Sequence, residues 1–425
     1  MITTVAQVVE KARAALLAGD LPLALAWAES AVIGDPASVD GARLDPQEGR
    51  WPVTLLNASF GCDVAAPDRL LLGSGQIALL PTLWLQAAQN SVCPFRPPMP
   101  RTLLPDARIS PRFAGIATFC RYPRMEDVLA ENRPIDWAIF GVPFDGGVTY
   151  RPGARFGPRA IREESQYIKR YSLEHKVDVC EVLSIADAGD APVSPYDVRA
   201  TLDLVGEFAT TIDEPGPPHA KLLAVGGDHC VAYANLRATY ARRGEPAGGL
   251  AVIHFDSHLD TIDEVWGNKW GHASPFRRAI EEGLVNPAKM ISVGLKGPLN
   301  NASDLEFASH AGITLVTQES LDGAGGRQAV ADFGRALGEH PAYVTFDVDV
   351  VDPAFAPGTG TPCCGGLSSA QAFALLRSLR GINIVGGDVV EVLPDRDVAG
   401  ITALLAGQVI FELLALDAVR RGRGD

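Results

Sequence analysis

From about residue 136 the chain alternates short apolar runs with longer stretches whose apolar positions recur at helical spacing. The apolar runs, at 137–142, 182–186, 222–225, 250–255, 290–294, 314–316, 343–346 and 384–390, read as strands. Helical stretches fall between and after them at 158–173, 195–212, 231–242, 275–282, 327–337, 368–379 and 399–419. Eight strands alternating with helices predict an α/β fold whose mainly parallel sheet is covered on both faces. In such folds ligands bind at the carboxyl ends of the strands.

The first 111 residues do not share this rhythm. Positions 5–17 and 21–32 read as two amphipathic helices joined by Gly19-Asp20, and 70–88 as a third. The proline-rich stretch 93–111 reads as an extended connector. The expected organisation is a mainly helical extension over 1–111, serving packing or oligomer contact, ahead of a main domain over 112–425. The segment 70–88 is the most apolar in the chain, but Gly73, Ser74, Gly75, Gln76 and Pro81 interrupt it, so a buried or interface helix is expected, not a membrane span.

Composition narrows the function. A net charge of −14 argues against nucleic-acid binding, which needs a basic face, and mildly favours cationic ligands. Seven scattered cysteines and no signal-like stretch predict a reduced, cytoplasmic protein without a disulfide framework.

The chemistry sits at three strand ends. The run 250–253 leads into Asp256, His258 and Asp260, which share one face of an extended segment. The run 343–346 leads into Asp347 and Asp349, and the run 222–225 into Gly226-Gly227-Asp228-His229, whose glycines permit a tight turn at positive φ. Converging carboxylates repel one another and lose hydration unless a cation joins them. His229, Asp256, His258, Asp260, Asp347 and Asp349 are too many for one zinc and suit two divalent ions with bridging carboxylates. Hard oxygen ligands with some imidazole favour manganese, and nickel also suits imidazole. The glycine-rich stretch 146–157 carries Arg151 and Arg155 but has neither nucleotide-fingerprint nor P-loop spacing, so it reads as a pocket wall.

These segments together resemble the ureohydrolase (arginase and agmatinase) family. The matching stretches are GGDHC at 226–230, HFDSHLD at 254–260, GHASPF at 271–276, FDVDVVDPAFAPGTGTP at 346–362 and EVLPDRD at 391–397. RFAGIATF at 112–119 and GVPFDGGVTYRPGARFGPRAIR at 141–162 resemble the agmatinase-type branch. The resemblance implies a three-layer α/β/α fold and release of urea from a guanidino group. It implies that Asp256 and Asp347 bridge the ions, that His229 and Asp260 complete one shell, and that His258 and Asp349 complete the other. It makes His272 the proton-shuttling histidine and Glu391 the carboxylate pairing with the guanidinium. It further implies self-association as a trimer or hexamer.

Departures from the family pattern fall where a pocket wall is expected: His272-Ala273-Ser274, Cys363-Cys364, and Val398 with Gly400. With Arg151 and Cys363 as candidate substrate contacts, agmatine is the first expectation; guanidine, a short N-substituted guanidine and 4-guanidinobutyrate are the alternatives. A cysteine-dependent guanidine-modifying enzyme using Cys363 or Cys230, or a non-catalytic relative, would leave four converging aspartates unexplained. His254 is expected as a core or supporting histidine, Asp228 as a residue that orients a ligand or anchors its loop, Asp352 as a turn residue and Cys230 as a small buried side chain. Arg155 or Arg159 is expected to be structural, and His175, His219, His310 and His340 to lie on the surface.

Overall fold

The computed structural model describes residues 100–212 and 219–422. The helices expected at 5–17, 21–32 and 70–88 lie outside the described residues, as do Cys62 and Cys93. Pro100–Asp425 forms one compact unit.

Its centre is an eight-stranded, all-parallel sheet. In chain order the strands are β1 (Trp137–Gly141), β2 (Ile185–Asp190), β3 (Lys221–Val225), β4 (Leu250–Phe255), β5 (Val285–Leu295), β6 (Thr314–Thr317), β7 (Pro341–Asp347) and β8 (Asn383–Val390). They lie in the order β2-β1-β3-β8-β7-β4-β5-β6. β3, β8, β7 and β4 are therefore adjacent in the middle, where helices cover both faces. All six residues of β4 are buried, which is why its sequence is apolar at every position but His254 instead of alternating.

The principal helices are α1 (Gly157–Glu164), α2 (Val198–Thr211), α3 (Val231–Arg242), α4 (Pro275–Glu281), α5 (Ala324–Leu337), α6 (Ser369–Ser378) and α7 (Ile401–Arg421). α6 begins with a reciprocal capping box between Ser368 and Gln371. α7 is long and apolar enough to cross a membrane by length and composition, but most of it is buried inside this unit. Two polar contacts fix it: the Trp137 indole donates to Asp417 at 2.8 Å, and the Lys221 ammonium pairs with the same carboxylate at 2.8 Å. Burial lowers the Lys221 pKa to about 8, against the pull of Asp417.

Four expectations change. The helix expected over 158–173 ends at Glu164. Its continuation is drawn into a small hairpin, Tyr171–Ser172 against Val177–Asp178, beside which Arg170 pairs with Asp178 at 2.5 Å. The strand expected at 182–186 starts at Ile185 because Asp178 caps a helical turn at Val179–Val182 through the N–H groups of Cys180 and Glu181. His175 is buried, not on the surface: its Nε2 meets Glu412, and Arg380 reaches its Nδ1 at 2.7 Å. His310 is exposed, and His219 and His340 are half-buried. Residues 100–111 belong to the compact unit. Thr102 is buried there, its amide donating to Cys180 O at 2.9 Å and its hydroxyl accepting from Ile185 N at 2.9 Å.

Candidate metal centre and active site

Three neighbouring strand ends build the floor of the site. After β3 the chain turns at Gly226 and Gly227, both at positive φ (73° and 80°). A Cβ at Gly226 would lie 2.5 Å from Pro158, and one at Gly227 would lie 2.6 Å from the Val142 carbonyl, so only glycine fits. That turn puts His229 at the start of α3 and under the end of β4. Asp256 follows β4 directly, and Asp347 is the last residue of β7. Asp347 also caps the short 3-10 turn Val348–Val350 through the Asp349 amide at 2.8 Å, which turns Asp349 toward β4.

The structure brings all six expected ligands together. His229 Nδ1 lies 3.0 Å from Asp256 Oδ2, 2.9 Å from Asp260 Oδ2 and 3.4 Å from Asp347 Oδ2. His258 Nδ1 lies 3.2 Å from Asp256 Oδ1 and 3.1 Å from Asp349 Oδ2. The two oxygens of Asp256 thus face two different imidazoles. Asp260 sits at φ 50°, a left-handed conformation held at a functional position.

Supporting groups fix the ring of His229. Its Nε2 lies 2.8 Å from the Thr345 hydroxyl, which donates in turn to the buried Asp388 carboxylate at 2.5 Å. Thr345 spends its proton on Asp388, so its oxygen accepts from His229 Nε2–H. The unprotonated Nδ1 is then buried among three carboxylates without a hydrogen bond. A lone pair facing carboxylate oxygens is repelled unless a cation stands between them. Burial, then the charges of Asp349 and Asp256, push the Asp347 carboxyl well above its ordinary range. Both features fit a pair of divalent cations, and a hydrogen-bonded ligand histidine of this kind is how proteins orient such ligands. His254 plays a related part: its Nε2 meets Asp256 Oδ2 at 2.9 Å and its Nδ1 meets Ser292 at 3.1 Å.

Glu391 stands just past β8, at φ 64°. Its Oε1 accepts from the His229 amide at 3.0 Å and lies 2.9 Å from His272 Nδ1. Among the described residues its Oε2 is buried with no partner. A Cβ on Gly360 would stand 3.7 Å from that oxygen. Burial disfavours a charged His272, but the hydrogen bond and charge of Glu391 outweigh it and raise its pKa to about 9.

The loops form the wall. Asp228 accepts from Gly147 N at 2.8 Å and Cys230 N at 2.9 Å, anchoring the loop as expected. Arg155 is tied to the buried Asp145, Nε to Oδ1 at 2.5 Å, and is structural; Arg159 is exposed. Arg151 lies over the Tyr150 ring, 4.7 Å from its centre, and its NH2 donates to the Tyr150 hydroxyl at 3.3 Å. Cys363 Sγ is 4.0 Å from His258 Nε2, and Cys364 is exposed. Cys230 is fully buried, and burial pushes its thiol well above the usual range, which removes it as a nucleophile. Asp352 accepts from the amides of Ala354 and Gly365, fixing its turn.

The profile of the Arginase family matches residues 135–415. The chain belongs to the arginase family. Among its relatives, guanidinopropionase from Pseudomonas aeruginosa is 42% identical over 75% of this chain and 96% of its own. Mitochondrial agmatinase from Gallus gallus is 35% identical over 73% of this chain and 88% of its own. The solved structure of proclavaminate amidinohydrolase from Streptomyces clavuligerus superposes with a TM-score of 0.66 at 38% identity, covering 73% of this chain and all of that one. A Trypanosoma cruzi formiminoglutamase variant solved with Mn2+ gives a TM-score of 0.61 at 25% identity over 70% of this chain and 99% of that one. Arginase-family enzymes are amidinohydrolases that cleave C–N bonds, and this chain is one of them. A binuclear divalent-metal centre is the family's cofactor, and the histidines and aspartates clustered here fit one.

Sequence reasoning missed Thr345, Asp388 and Lys296. Lys296 lies beneath the site, donating to the carbonyls of Asp349 at 2.9 Å and Val350 at 3.1 Å. A polar residue inside an otherwise apolar strand, Thr345 or Asp388, is the signal that could have found two of them.

Proposed function

We propose that this arginase-family hydrolase acts on a small guanidino acid. The observation that carries the guanidino end is the free, buried oxygen of Glu391. Oε1 is held by two donors while Oε2 has none, so the carboxylate is fixed in place with one acceptor open for a planar N–H donor. The carboxylate end is supported by Arg151. Arg155 is committed to Asp145, whereas among the described residues Arg151 is held against Tyr150 alone, leaving its guanidinium available to an anionic tail. The relative named guanidinopropionase points the same way.

In this reading His229, Asp256, Asp260 and Asp347 would hold one ion, and His258, Asp256, Asp347 and Asp349 would hold the other. Manganese is the first expectation and nickel the second. When bound, the pair supplies Lewis acidity and lowers the pKa of water toward neutrality. The chain's own residues do the rest. Glu391 orients the guanidinium so that its central carbon faces the cluster. His272, paired with Glu391, accepts a proton and returns one to the departing nitrogen.

Agmatine, the first expectation from sequence, is the second reading. Trp266 in the adjoining pocket wall presents an aromatic ring that suits a cationic tail. We also expect a cytoplasmic homo-oligomer, trimeric or hexameric; a lone monomer in light scattering would refute the assembly.

The test is urea release from 3-guanidinopropionate, 4-guanidinobutyrate, agmatine, arginine and guanidine, with manganese and nickel supplied separately. A higher kcat/KM for a guanidino acid than for agmatine supports the first reading. The reverse order establishes the second. Urea from none of them would remove the substrate class.

A further inference from the structure

The ring of His272 has no nitrogen free. Nδ1 is taken by Glu391 Oε1 at 2.9 Å. Nε2 receives the backbone N–H of Thr149 at 2.9 Å and faces the Thr149 hydroxyl at 2.7 Å. A backbone amide can only donate, so with that bond made Nε2 is an acceptor and the neutral ring carries its proton on Nδ1. Thr149 is held at this place from both sides. The His272 amide donates to Gly147 O at 3.0 Å, and Gly147 N donates to Asp228 at 2.8 Å. The position admits little else: a Cβ on Gly271 would meet the Gly147 carbonyl at 3.0 Å.

Thr149 also faces outward. With Gly146, Val265, Trp266, Asn268 and Trp270 it lines a solvent-open pocket of about 90 Å³. None of the six clustered metal-site residues lines that pocket, nor does Glu391. Thr149 therefore stands between His272 on one side and solvent on the other.

We propose that the Thr149 hydroxyl is the proton link between His272 and this pocket. It is a positioning and relaying residue, acting through His272. A hydroxyl can turn from donor to acceptor, which the neighbouring amide cannot. With the ring neutral, Oγ1–H donates to Nε2. With the ring protonated, Nε2–H donates to Oγ1. To discharge the ring, Nε2–H passes its proton to Oγ1 while the hydroxyl's own proton passes to a pocket water. One O–H bond forms as another breaks, the ring returns to neutral, and the water leaves as hydronium. The reverse recharges it. The inference rests on the hydrolase reading above for its kinetic test, but not for its spectroscopic one.

The experiment compares T149V and T149S with the wild-type protein loaded with metal. Valine keeps the β-branch and the backbone N–H and removes only the hydroxyl. The expected result for T149V is at least a tenfold loss of kcat with KM within twofold, partly restored by added imidazole buffer, which does not accelerate the wild type. T149S should recover kcat to within about threefold. Unchanged kcat in T149V, or a loss that neither serine nor buffer relieves, would overturn the relay. Independently of turnover, 15N spectra of ring-labelled protein loaded with zinc, recorded above the His272 pKa of about 9 so that the ring is neutral and with H272N for assignment, should show the Nδ1–H tautomer and an Nε2 resonance that moves in T149V. An Nε2–H tautomer in the wild type would overturn the proposal even if T149V does not fold. If the wild type releases no urea from any guanidino compound, the substrate reading fails, and the ring spectra alone decide the Thr149 contact.

Discussion

The floor and the wall of this site are built differently. The floor is made of strand ends: His229, Asp256, Asp347 and Glu391 each follow a central parallel strand, with Thr345 and Asp388 inside the strands to brace them. Its residues are almost entirely buried, and Thr345, Asp388 and His254 brace them from within the sheet. The wall is made of loops, 146–151, 265–274 and 363–364, and carries exposed or half-exposed side chains such as Tyr150, Trp266 and Cys364. A rigid floor can place charges within tenths of an ångström, as shared cations and a planar guanidinium require. A loop wall can change its residues without disturbing that placement. The difference separates what reaction the protein performs from which molecule it performs it on.

If this division holds, floor substitutions act alike on every substrate, whatever their size. The largest effect is expected for Asp256→Asn. Its two oxygens face His229 and His258 separately, so the change weakens both halves of the cluster. Elemental analysis should show both ions depleted, with urea release reduced by about a thousandfold or more, as loss of a shared metal ligand implies. Retention of two tightly bound ions would break the reading of Asp256 as a bridge. Glu391→Gln comes next. The variant should keep fold and metal content and lose roughly 10- to 150-fold in kcat/KM, the equivalent of about 1.5–3 kcal/mol for a charge-assisted hydrogen bond. Near wild-type turnover would remove Glu391 from the substrate.

A third, smaller effect probes the floor from below. Thr345→Val deletes the hydroxyl between His229 and Asp388 without touching any of the six clustered residues. Metal affinity should fall by about 10- to 100-fold, while kcat at saturating metal stays within a few-fold of wild type. Metal titration by calorimetry separates the two quantities. An unchanged affinity would mean that the His229 ring is held by packing against Phe276 and His254.

The same division explains what could be read in the sequence. The eight strands and the six clustered residues were legible because a fully buried parallel strand must be apolar, and an acidic residue that interrupts such a run needs a reason. The roles of His272 and Glu391 were expected only through family resemblance, and their contact was not foreseen, since 119 residues separate them and no local pattern links them. Thr345 and Asp388 escaped because their value lies in meeting across two strands, a contact that depends on sheet order. His175 escaped for the same reason: its partner Glu412 lies 237 residues away. The contact of Thr149 with His272 depends on how two loops meet, which no spacing encodes. Charge pairing among the loop arginines was equally hidden, and it decides which of Arg151 and Arg155 is available.

The smallest and most selective effect is expected at the wall. Arg151→Ala removes a guanidinium that touches none of the six clustered residues and rests on Tyr150 at the edge of the glycine-rich loop. If that cation receives a carboxylate tail, the variant should raise KM for 3-guanidinopropionate or 4-guanidinobutyrate by about tenfold, about 1.4 kcal/mol, as expected for a partly exposed charged contact. Its kcat should change little, because the contact is equally present before and during the reaction. Agmatine, whose tail is cationic, should lose nothing and gain if the like charge at 151 had opposed it. Steady-state kinetics on both substrates with the same metal give the answer as a ratio of ratios, which cancels any general effect on folding or metal loading. A parallel loss for both substrates would show that Arg151 supports the floor through its loop, and the boundary between reaction and specificity would then have to be drawn closer to the solvent.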